Sequence, residues 1–267
     1  MLYFIVTTLA LVILYLLSWH PKRAKRFYNN RKLWFAHRGA LLSEPENTRE
    51  SFKKAIYTGF PAIEVDVIST QDNIVCCSHN FDLERQTDGQ GYLHEKHYNQ
   101  VKETNVFCSF NNKKAQLTTL DQVLDLIPET TRINIEIKTS KRMDFKTARL
   151  TAKILKERKL ESRAMISAFN PLTLCYIKTF FSSILTGYIV EKRLMLPFIY
   201  IARPDFLHPI SNLITDSLLT FTKRKGLRVN VWTVNTKPAI DWLTEKEVDG
   251  IITDRMEFYG NSEVLSG

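Results

Sequence analysis

Short apolar runs alternate with longer amphipathic stretches along most of the chain. The short runs are rich in β-branched residues and follow the two-residue period of a strand, whereas the longer stretches follow the period of a helix. This pattern predicts strands at 33–36, 62–68, 74–78, 132–138, 164–168, 184–190, 204–207, 228–234 and 250–253. It predicts helices at 48–58, 120–127, 145–158, 171–181, 211–225 and 238–246.

The alternation of strands and helices predicts a parallel sheet. The chain has 267 residues, and the part after its apolar N-terminus suits one barrel-sized domain. We therefore expect a TIM (β/α)8 barrel over residues 33–260. A doubly wound open sheet is the alternative, but neither a GxGxxG motif nor a P-loop follows any predicted strand.

Residues 1–19 contain no charged side chain. Their apolar run approaches the roughly 20 residues that a helix needs to cross a bilayer. This predicts an uncleaved, single-pass transmembrane anchor, with Trp19 at the membrane interface. A cleaved signal peptide is the alternative, but no Lys or Arg precedes the run, and the sequence after it is bulky and basic.

The formal net charge is +9, and part of the basic excess lies beside the apolar N-terminus, at Lys22, Arg23, Lys25, Arg26, Arg31 and Lys32. Residues 20–32 are therefore interpreted as a basic juxtamembrane linker that contacts the membrane surface, and not as a nucleic-acid interface. Because positive flanks favour the cytoplasmic side, we expect the barrel in the cytoplasm. The four cysteines form no CxxC pair, which fits a reducing compartment.

Three carboxylates lie where a barrel's interior is expected. The two-residue period puts Glu64 and Asp66 on one face of strand 62–68, and Glu136 on the same face of strand 132–138 as Lys138. Buried carboxylates repel each other and are costly to desolvate unless they are paired or bound to a metal. They predict a divalent-cation site, with a structural network of acids and basic residues as the alternative.

Two histidines occupy positions typical of catalytic groups in barrels. His37 and Arg38 follow the first predicted strand directly, and His79 follows strand 74–78. Histidines in such places suit general acid–base chemistry near neutral pH. Arg38 suits a phosphate, because its guanidinium can donate to two oxygens at once.

These residues lie in sequence blocks that resemble the glycerophosphodiester phosphodiesterase family. The blocks are in family order and span most of the predicted barrel: His37-Arg38-Gly39, Pro45-Glu46-Asn47-Thr48, Glu64-Val65-Asp66, His79, Leu83, Arg85, Thr87, Gly89, Gly91, Asn134-Ile135-Glu136-Ile137-Lys138, Val231-Trp232-Thr233-Val234-Asn235 and Val248-Asp249-Gly250-Ile251-Ile252-Thr253-Asp254. The resemblance implies a TIM barrel that hydrolyses glycerophosphodiesters to glycerol 3-phosphate and an alcohol, with a divalent metal, Mg²⁺ or Ca²⁺.

The resemblance also implies a role for each matching residue. It implies Glu64, Asp66 and Glu136 as metal ligands, His37 and His79 as the acid/base pair, Arg38 and Lys138 at the phosphate, and Trp232 in the substrate pocket. One departure is Asn80, where the family usually has Asp after this histidine. We therefore expect His79 to be less basic than usual, and a contact between its neutral ring and the metal stays open.

Other functions remain open beside this one. A lysophospholipase D, which releases lysophosphatidic acid from a lysophospholipid, is the close alternative. An inactive barrel that serves as a membrane-tethered binding module is the alternative from another class, and the retained histidines and acids argue against it. A phosphoinositide-specific phospholipase C fits the blocks less well.

An apolar segment at 193–202 follows strand 184–190, so it should emerge at the C-terminal face of the barrel. It is either a short helix packed on the barrel wall or a lip that contacts the membrane or lines a channel for an acyl chain.

Overall fold

The central element of the structure is a closed barrel of parallel strands. The structure, a computed structural model, describes residues 1–21, 24–28 and 31–259. The strands of the described residues are β1 (Leu33–Ala36), β2 (Ala62–Ser69), β3 (Val75–Cys77), β4 (Asn105–Phe107), β5 (Lys114–Gln116), β6 (Arg132–Ile137), β7 (Ala164–Ala168), β8 (Leu185–Val190), β9 (Phe206–Pro209), β10 (Arg228–Val231) and β11 (Gly250–Thr253).

Eight of these strands form the barrel, in the order β1-β2-β6-β7-β8-β9-β10-β11. The barrel closes because β1 pairs in parallel with both β2 and β11. The predicted TIM barrel is therefore confirmed for the described residues. The predicted end of the domain at residue 260 lies outside them.

The α-helices of the described residues are α1 (Leu2–Leu17), α2 (Ala24–Tyr28), α3 (Arg49–Tyr57), α4 (Tyr98–Val101), α5 (Leu120–Leu126), α6 (Lys146–Glu157), α7 (Pro171–Phe180), α8 (Ile199–Ala202), α9 (Asp216–Lys225) and α10 (Lys237–Glu245). The helices α1 and α2 precede the first barrel strand, and helices that lie between successive barrel strands pack against the barrel's outer face. Local signals set several of their ends. The side chain of Asn170 caps α7, with Pro171 at the first helical position, and Gly226 ends α9 with a left-handed backbone at φ 76°.

One predicted strand, 74–78, lies outside the parallel barrel. In the structure β3 pairs antiparallel with the end of β2, as a short hairpin. The hairpin turns at Asn73, which adopts a left-handed φ of 72°. Apolar side chains from the segment after β3 form a separate small cluster that includes Leu83, Leu93 and Val106. This insertion carries His79 beside the barrel.

The N-terminal end of the barrel is closed by α2. Phe27 and Tyr28 are buried against Phe35 and Phe206, which lie on barrel strands. The side chain of Arg132 donates a hydrogen bond to the backbone carbonyl of Phe27 at 2.8 Å. Phe27 and Tyr28, which belong to the predicted linker 20–32, are thus buried in the end of the barrel. We call α2 the plug. Lys22 and Arg23 lie outside the described residues.

The N-terminal helix α1 is shorter than predicted. It has 16 residues, which at about 1.5 Å per residue measure about 24 Å, against the roughly 30 Å of a bilayer's hydrocarbon core. Within the described residues, no helix is long and apolar enough to span a membrane. Trp19, expected at a membrane interface, is buried on the barrel and donates from Nε1 to the carbonyl of Pro204 at 3.0 Å. The predicted transmembrane helix over 1–19 is therefore not supported.

We predict that the plug contributes substantially to stability. Phe27→Ala should lower the free energy of unfolding by about 3–5 kcal/mol, because it leaves a cavity at a fully buried site. Urea denaturation would measure the change. Tyr57→Ala is the matched control, since Tyr57 is 85% exposed and surface substitutions usually cost less than about 0.5 kcal/mol. Equal losses for the two variants would show that α2 does not support the barrel.

Candidate active site

Three buried carboxylates meet at the C-terminal end of the barrel. The register of β2 with β6 sets Asp66 directly opposite Glu136, and Glu64 lies two residues earlier on β2. One oxygen from each of Glu64, Asp66 and Glu136 lies within 4.8 Å of the others. The structure therefore brings the three predicted metal ligands together, on the inner face that the two-residue period indicated.

Two basic side chains offset part of this negative charge. Lys138 contacts Glu136, and its Nζ lies 2.8 Å from Asp66 Oδ1. Arg38 Nε lies 3.2 Å from Asp66 Oδ2, and its Nη1 lies 3.1 Å from Glu46 Oε1. The network of acids and basic residues that the sequence left as an alternative is thus present around Asp66. However, only two basic side chains face four carboxylates in this network, so negative charge remains in excess.

Asp66 and Glu64 differ in how this charge is balanced. Burial alone would raise the pKa of Asp66, but Lys138 and Arg38 hold it well below its usual range. Burial, with the charges of Asp66 and Glu136, raises the pKa of Glu64 well above its usual range. Burial also raises the pKa of Glu136, against the pull of Lys138. The cluster as a whole therefore favours an additional positive charge.

Glu64 shows where such a charge fits. Its Oε2 accepts a hydrogen bond from the backbone N–H of Arg38 at 3.0 Å. Its Oε1 is buried, and no hydrogen-bond partner for it occurs in the described ranges. Buried carboxylate oxygens are normally satisfied, and three of them in such proximity are the donor set that Mg²⁺ and Ca²⁺ prefer. The residues present fit a divalent cation.

A sharp backbone turn after β1 carries His37 and Arg38 to this cluster. Arg38 and Gly39 both adopt left-handed conformations, with φ values of 54° and 81°. A Cβ atom at Gly39 would lie 2.3 Å from Ser51 Oγ, so glycine is required there for space as well as for conformation. Backbone strain of this kind clusters at functional sites.

Asn47 also belongs to the site, and its left-handed φ is 57°. Its Nδ2 donates to Asp66 Oδ2 at 3.0 Å, and its Oδ1 accepts from the backbone N–H of Asp66 at 3.0 Å. The sequence placed Asn47 in one of the blocks that resemble the family, without a role in the site. In the structure, its side chain fixes the orientation of a predicted metal ligand.

His37 is held by an acid from the last barrel strand. Its Nδ1 lies 2.6 Å from Asp254 Oδ1, and Asp254 directly follows β11. Asn235 Nδ2 donates to the other oxygen of Asp254 at 2.5 Å. Burial raises the pKa of Asp254, but the hydrogen bond and charge of His37, together with Asn235 and Arg38, outweigh it, so the pKa lies below its usual value. An ionised Asp254 only accepts, so Nδ1 donates and Nε2 is the nitrogen that can exchange a proton.

Asp254 and Glu46 were not identified as site residues from the sequence, although both lie in the blocks quoted for the family. The available signal was position. Asp254 directly follows a predicted barrel strand, which is where barrel enzymes carry functional groups.

His79 lies in the insertion, close enough to Asp66 for the two charges to interact. Its Nδ1 is 3.0 Å from Asn80 Oδ1, so the amide oxygen accepts from the ring. Burial lowers the pKa of His79, and Asp66 opposes this shift only in part. The direction agrees with the expectation of a less basic histidine. The largest cause, however, is burial and not the neutral Asn80.

Trp232 lies next to the site and contacts it through the ring of Phe169. Its Nε1 donates to the backbone carbonyl of His208 at 2.7 Å, and its ring packs edge-on against Phe169 at 5.6 Å between centroids. Phe169 lines a cavity of about 620 Å³, which also contains Glu136 and Lys138. The substrate-binding role of Trp232 stays a prediction, and the structure shows it supporting a residue that lines this cavity.

The cavity extends from the charged cluster toward the segment after β8. Its far end is lined by Tyr188, Met195, Phe198 and Ile201, and its near end by Glu136 and Lys138. We call this space the cleft. It joins a polar site suited to a phosphate to an apolar wall suited to a hydrocarbon group.

Comparisons with known proteins agree with this geometry. A sequence model of the Glycerophosphoryl diester phosphodiesterase family matches residues 37–258. A glycerophosphodiester phosphodiesterase from Caldanaerobacter subterraneus is 31% identical over 232 residues, which cover 85% of this chain and 96% of that protein. The mouse lysophospholipase D GDPD1 is 25% identical, over 86% of this chain and 77% of that protein.

Solved structures show the same fold. An Oleispira antarctica phosphodiesterase in complex with the product sn-glycerol-3-phosphate has a TM-score of 0.75 and 23% identity, covering 85% of this chain and 94% of that one. A glycerophosphodiester phosphodiesterase from Thermotoga maritima has a TM-score of 0.70 and 26% identity, covering 87% and 98%.

Measurements of thermal stability test whether the carboxylate cluster binds a divalent cation. Mg²⁺ or Ca²⁺ added to chelator-treated protein should raise the melting temperature, because a ligand that binds only the folded state stabilises it. Glu64→Gln should remove most of this increase. Glu84→Gln is the matched control, because Glu84 is exposed on the insertion and its substitution should leave the increase unchanged.

The Glu64→Gln variant also tests how the stability of the metal-free protein depends on pH. Because the pKa of Glu64 is raised in the folded state, its proton stabilises the protein at acidic pH, and this contribution is lost as the pH rises through the raised pKa. Metal-free Glu64→Gln should therefore become more stable than wild type above the usual titration range of glutamate. A variant less stable than wild type at neutral pH, together with no metal-induced shift in wild type, would contradict the cluster's assignment.

Proposed function

The chain belongs to the glycerophosphoryl diester phosphodiesterase family, and on that premise we propose that it hydrolyses glycerophosphodiesters to glycerol 3-phosphate and an alcohol in a metal-dependent reaction. Its class, a phosphoric diester hydrolase, follows from the family and from its named relatives. The observation that carries the proposal for this chain is the convergence of Glu64, Asp66 and Glu136 within 4.8 Å, beside Arg38 and Lys138.

The charged residues have distinct roles in the proposed reaction. Glu64, Asp66 and Glu136 would hold the divalent cation, which when bound supplies Lewis-acid polarisation of the phosphoryl group. Arg38 and Lys138 add positive charge where the phosphate's negative charge increases in the transition state. Asn47 and the backbone N–H of Arg38 hold the carboxylates in place, so the site needs little reorganisation during the reaction.

His37 and His79 divide the proton transfers. Asp254 holds Nδ1 of His37, so Nε2 of His37 takes the proton from the attacking oxygen, which belongs to water or to a glycerol hydroxyl. Attack by the glycerol hydroxyl gives a cyclic phosphate, which a water molecule then opens to glycerol 3-phosphate. His79 donates a proton to the leaving alcohol. A pKa below the usual value makes the protonated His79 ring a stronger acid, which suits that step.

A lysophospholipase D activity is the second candidate, and the cleft favours it. Apolar side chains of Phe169, Met195 and Phe198 line the cleft beyond Glu136 and Lys138. Such a wall can accept a hydrocarbon chain attached to the glycerol, which a water-soluble glycerophosphodiester lacks. The inactive binding module, by contrast, has no support from the site, because the carboxylates, both histidines and the acid behind His37 lie together.

We also propose a location at the cytoplasmic side of a membrane. The support is the exposed apolar surface of α1, the basic residues of segment 20–32 and the four free thiols of Cys76, Cys77, Cys108 and Cys175. Protease added outside intact cells should leave the barrel undigested. Digestion of the barrel from outside would contradict the cytoplasmic location.

Product release tests the proposed function directly. Purified protein should release glycerol 3-phosphate from glycerophosphocholine or glycerophosphoethanolamine, and lysophosphatidic acid from lysophosphatidylcholine if the second candidate is right. Chelator should abolish each activity, and Mg²⁺ or Ca²⁺ should restore it. Full activity after treatment with chelator, with no metal in elemental analysis, would exclude the metal-dependent reaction.

We predict that His37→Ala lowers kcat by about 10²-fold or more, the usual size for lost general acid–base catalysis. His97→Ala is the matched control, because the side chain of His97 is 59% exposed on the insertion and should not affect kcat. A His37 variant with normal kcat and only a raised KM would show that His37 binds substrate without transferring a proton.

A further inference from the structure

Large apolar side chains are exposed on two elements of the described structure, α1 and the segment after β8 that borders the cleft. On the segment after β8 they are Leu194, Phe198 and Ile201. We call residues 193–202 the lip; it consists of a 3₁₀ helix, Arg193–Phe198, followed by α8. The exposed apolar residues of α1 are Tyr3, Phe4, Ile5, Val6, Leu9, Leu11, Val12, Ile13 and Leu14. Apolar patches of this extent mark interaction sites on soluble domains.

The two elements that carry these exposed apolar side chains contact each other. The helix α1 contacts α8. Shortly after α1, Trp19 is buried and hydrogen-bonded to the carbonyl of Pro204, which follows the lip. On the barrel side, Ile199 and Ala202 are buried, and Met195, Leu196 and Tyr200 pack partly against the core. The lip is therefore held against the wall, while Leu194 is exposed. Segment 193–202 thus combines a short helix packed on the barrel wall with side chains that line the cleft, and its contact with a membrane stays a prediction.

The lip has two faces with different surroundings. Met195, Phe198 and Ile201 line the cleft, which reaches Glu136 and Lys138. Leu194 does not line the cleft and is 86% exposed. Lys192 and Arg193, directly before it, are exposed as well. The lip and Lys192 directly before it thus present one apolar and two basic residues to the outside near the cleft.

A lipid surface is the partner that fits these features. The helical rotation of about 100° per residue distributes the exposed apolar side chains of α1 around its whole circumference. A protein partner or a second copy of the chain would cover one side of such a helix, whereas a lipid layer into which α1 inserts would cover all the sides that are exposed in the structure. Lys192 and Arg193 outnumber the neighbouring exposed Glu191 and complement anionic headgroups, and the exposed Leu194 next to them in sequence suits the acyl region of a membrane.

We propose that α1 and the lip together form a lipid-docking face that seats the mouth of the cleft on a membrane surface. The docking itself does not depend on the proposed reaction. Its consequence for catalysis does rest on the proposed function: an amphiphilic phosphodiester in the bilayer would enter the cleft along Met195, Phe198 and Ile201 without its hydrocarbon part crossing water. Tethering through α1 would also raise the local concentration of such a substrate at the lip.

Fluorescence quenching in vesicles tests the docking face. Cys76, Cys77 and Cys108 are buried, so in a Cys175→Ser background a fluorophore attaches to Leu194→Cys or, as the matched control, to Tyr57→Cys. The full chain is reconstituted with phosphatidylcholine–phosphatidylserine vesicles, with or without a quencher on the acyl chains. We expect strong quenching at position 194 and none at position 57, which lies at the end of α3 and is 85% exposed.

A second readout uses Leu194→Ser, which leaves the cleft lining intact. It should reduce kcat/KM for lysophosphatidylcholine in vesicles by about tenfold, the effect of withdrawing one leucine side chain from an apolar phase. Hydrolysis of soluble glycerophosphocholine should stay unchanged. Tyr57→Ser should change neither activity.

Each other outcome has a distinct meaning. A label at position 194 that is unquenched but still accessible to aqueous iodide would show that α1 binds lipid alone, which would overturn the docking of the lip. A label protected from both quenchers would indicate a second copy of the chain as the partner, and would also overturn the proposal. Quenching at position 194 in a protein that hydrolyses no substrate would keep the docking face and reject the proposed function.

Discussion

The site depends on the repulsion between three carboxylates that the barrel forces into one buried position. Glu64, Asp66 and Glu136 are brought together by the pairing of β2 with β6, and burial makes each negative charge costly. Lys138 and Arg38 neutralise Asp66 effectively, as its lowered pKa shows, but leave Glu64 with a raised pKa and an oxygen without a partner in the described structure. The remaining imbalance favours a divalent cation, and the surrounding polar contacts hold the carboxylates ready for it.

The two ends of the barrel have different roles: one is packed for stability and the other carries the site. At the N-terminal end, α2 fills the interior with Phe27 and Tyr28. At the C-terminal end, the turn after β1, the hairpin insertion after β2 and the residue after β11 supply His37, His79 and Asp254. Functional groups from strands distant in sequence meet because the barrel closes between β1 and β11. The cleft then extends this polar site toward the apolar lip.

The sequence predicted features that depend on local pattern. The alternation in strands 62–68 and 132–138 placed the carboxylates on the inner face, and the order of elements predicted the barrel. Partners that meet only through closure, such as His37 with Asp254, could not be found from strand periodicity. The plug was missed because Ala24, Phe27 and Tyr28 are dispersed among basic residues, which resembles a linker. The apolar run at the N-terminus indicated a longer helix, but α1 ends at Leu17 and Trp19 turns toward the barrel.

The central claim is that the three carboxylates form a divalent-cation site, and anomalous X-ray scattering from crystals grown with Mn²⁺ tests it most directly. We predict one strong anomalous peak bounded by the carboxylate oxygens of Glu64, Asp66 and Glu136, and its loss in crystals of the Glu64→Gln variant. The absence of a peak at these carboxylates would contradict the claim, whether the ion binds elsewhere on the chain or Lys138 still bridges Asp66 and Glu136.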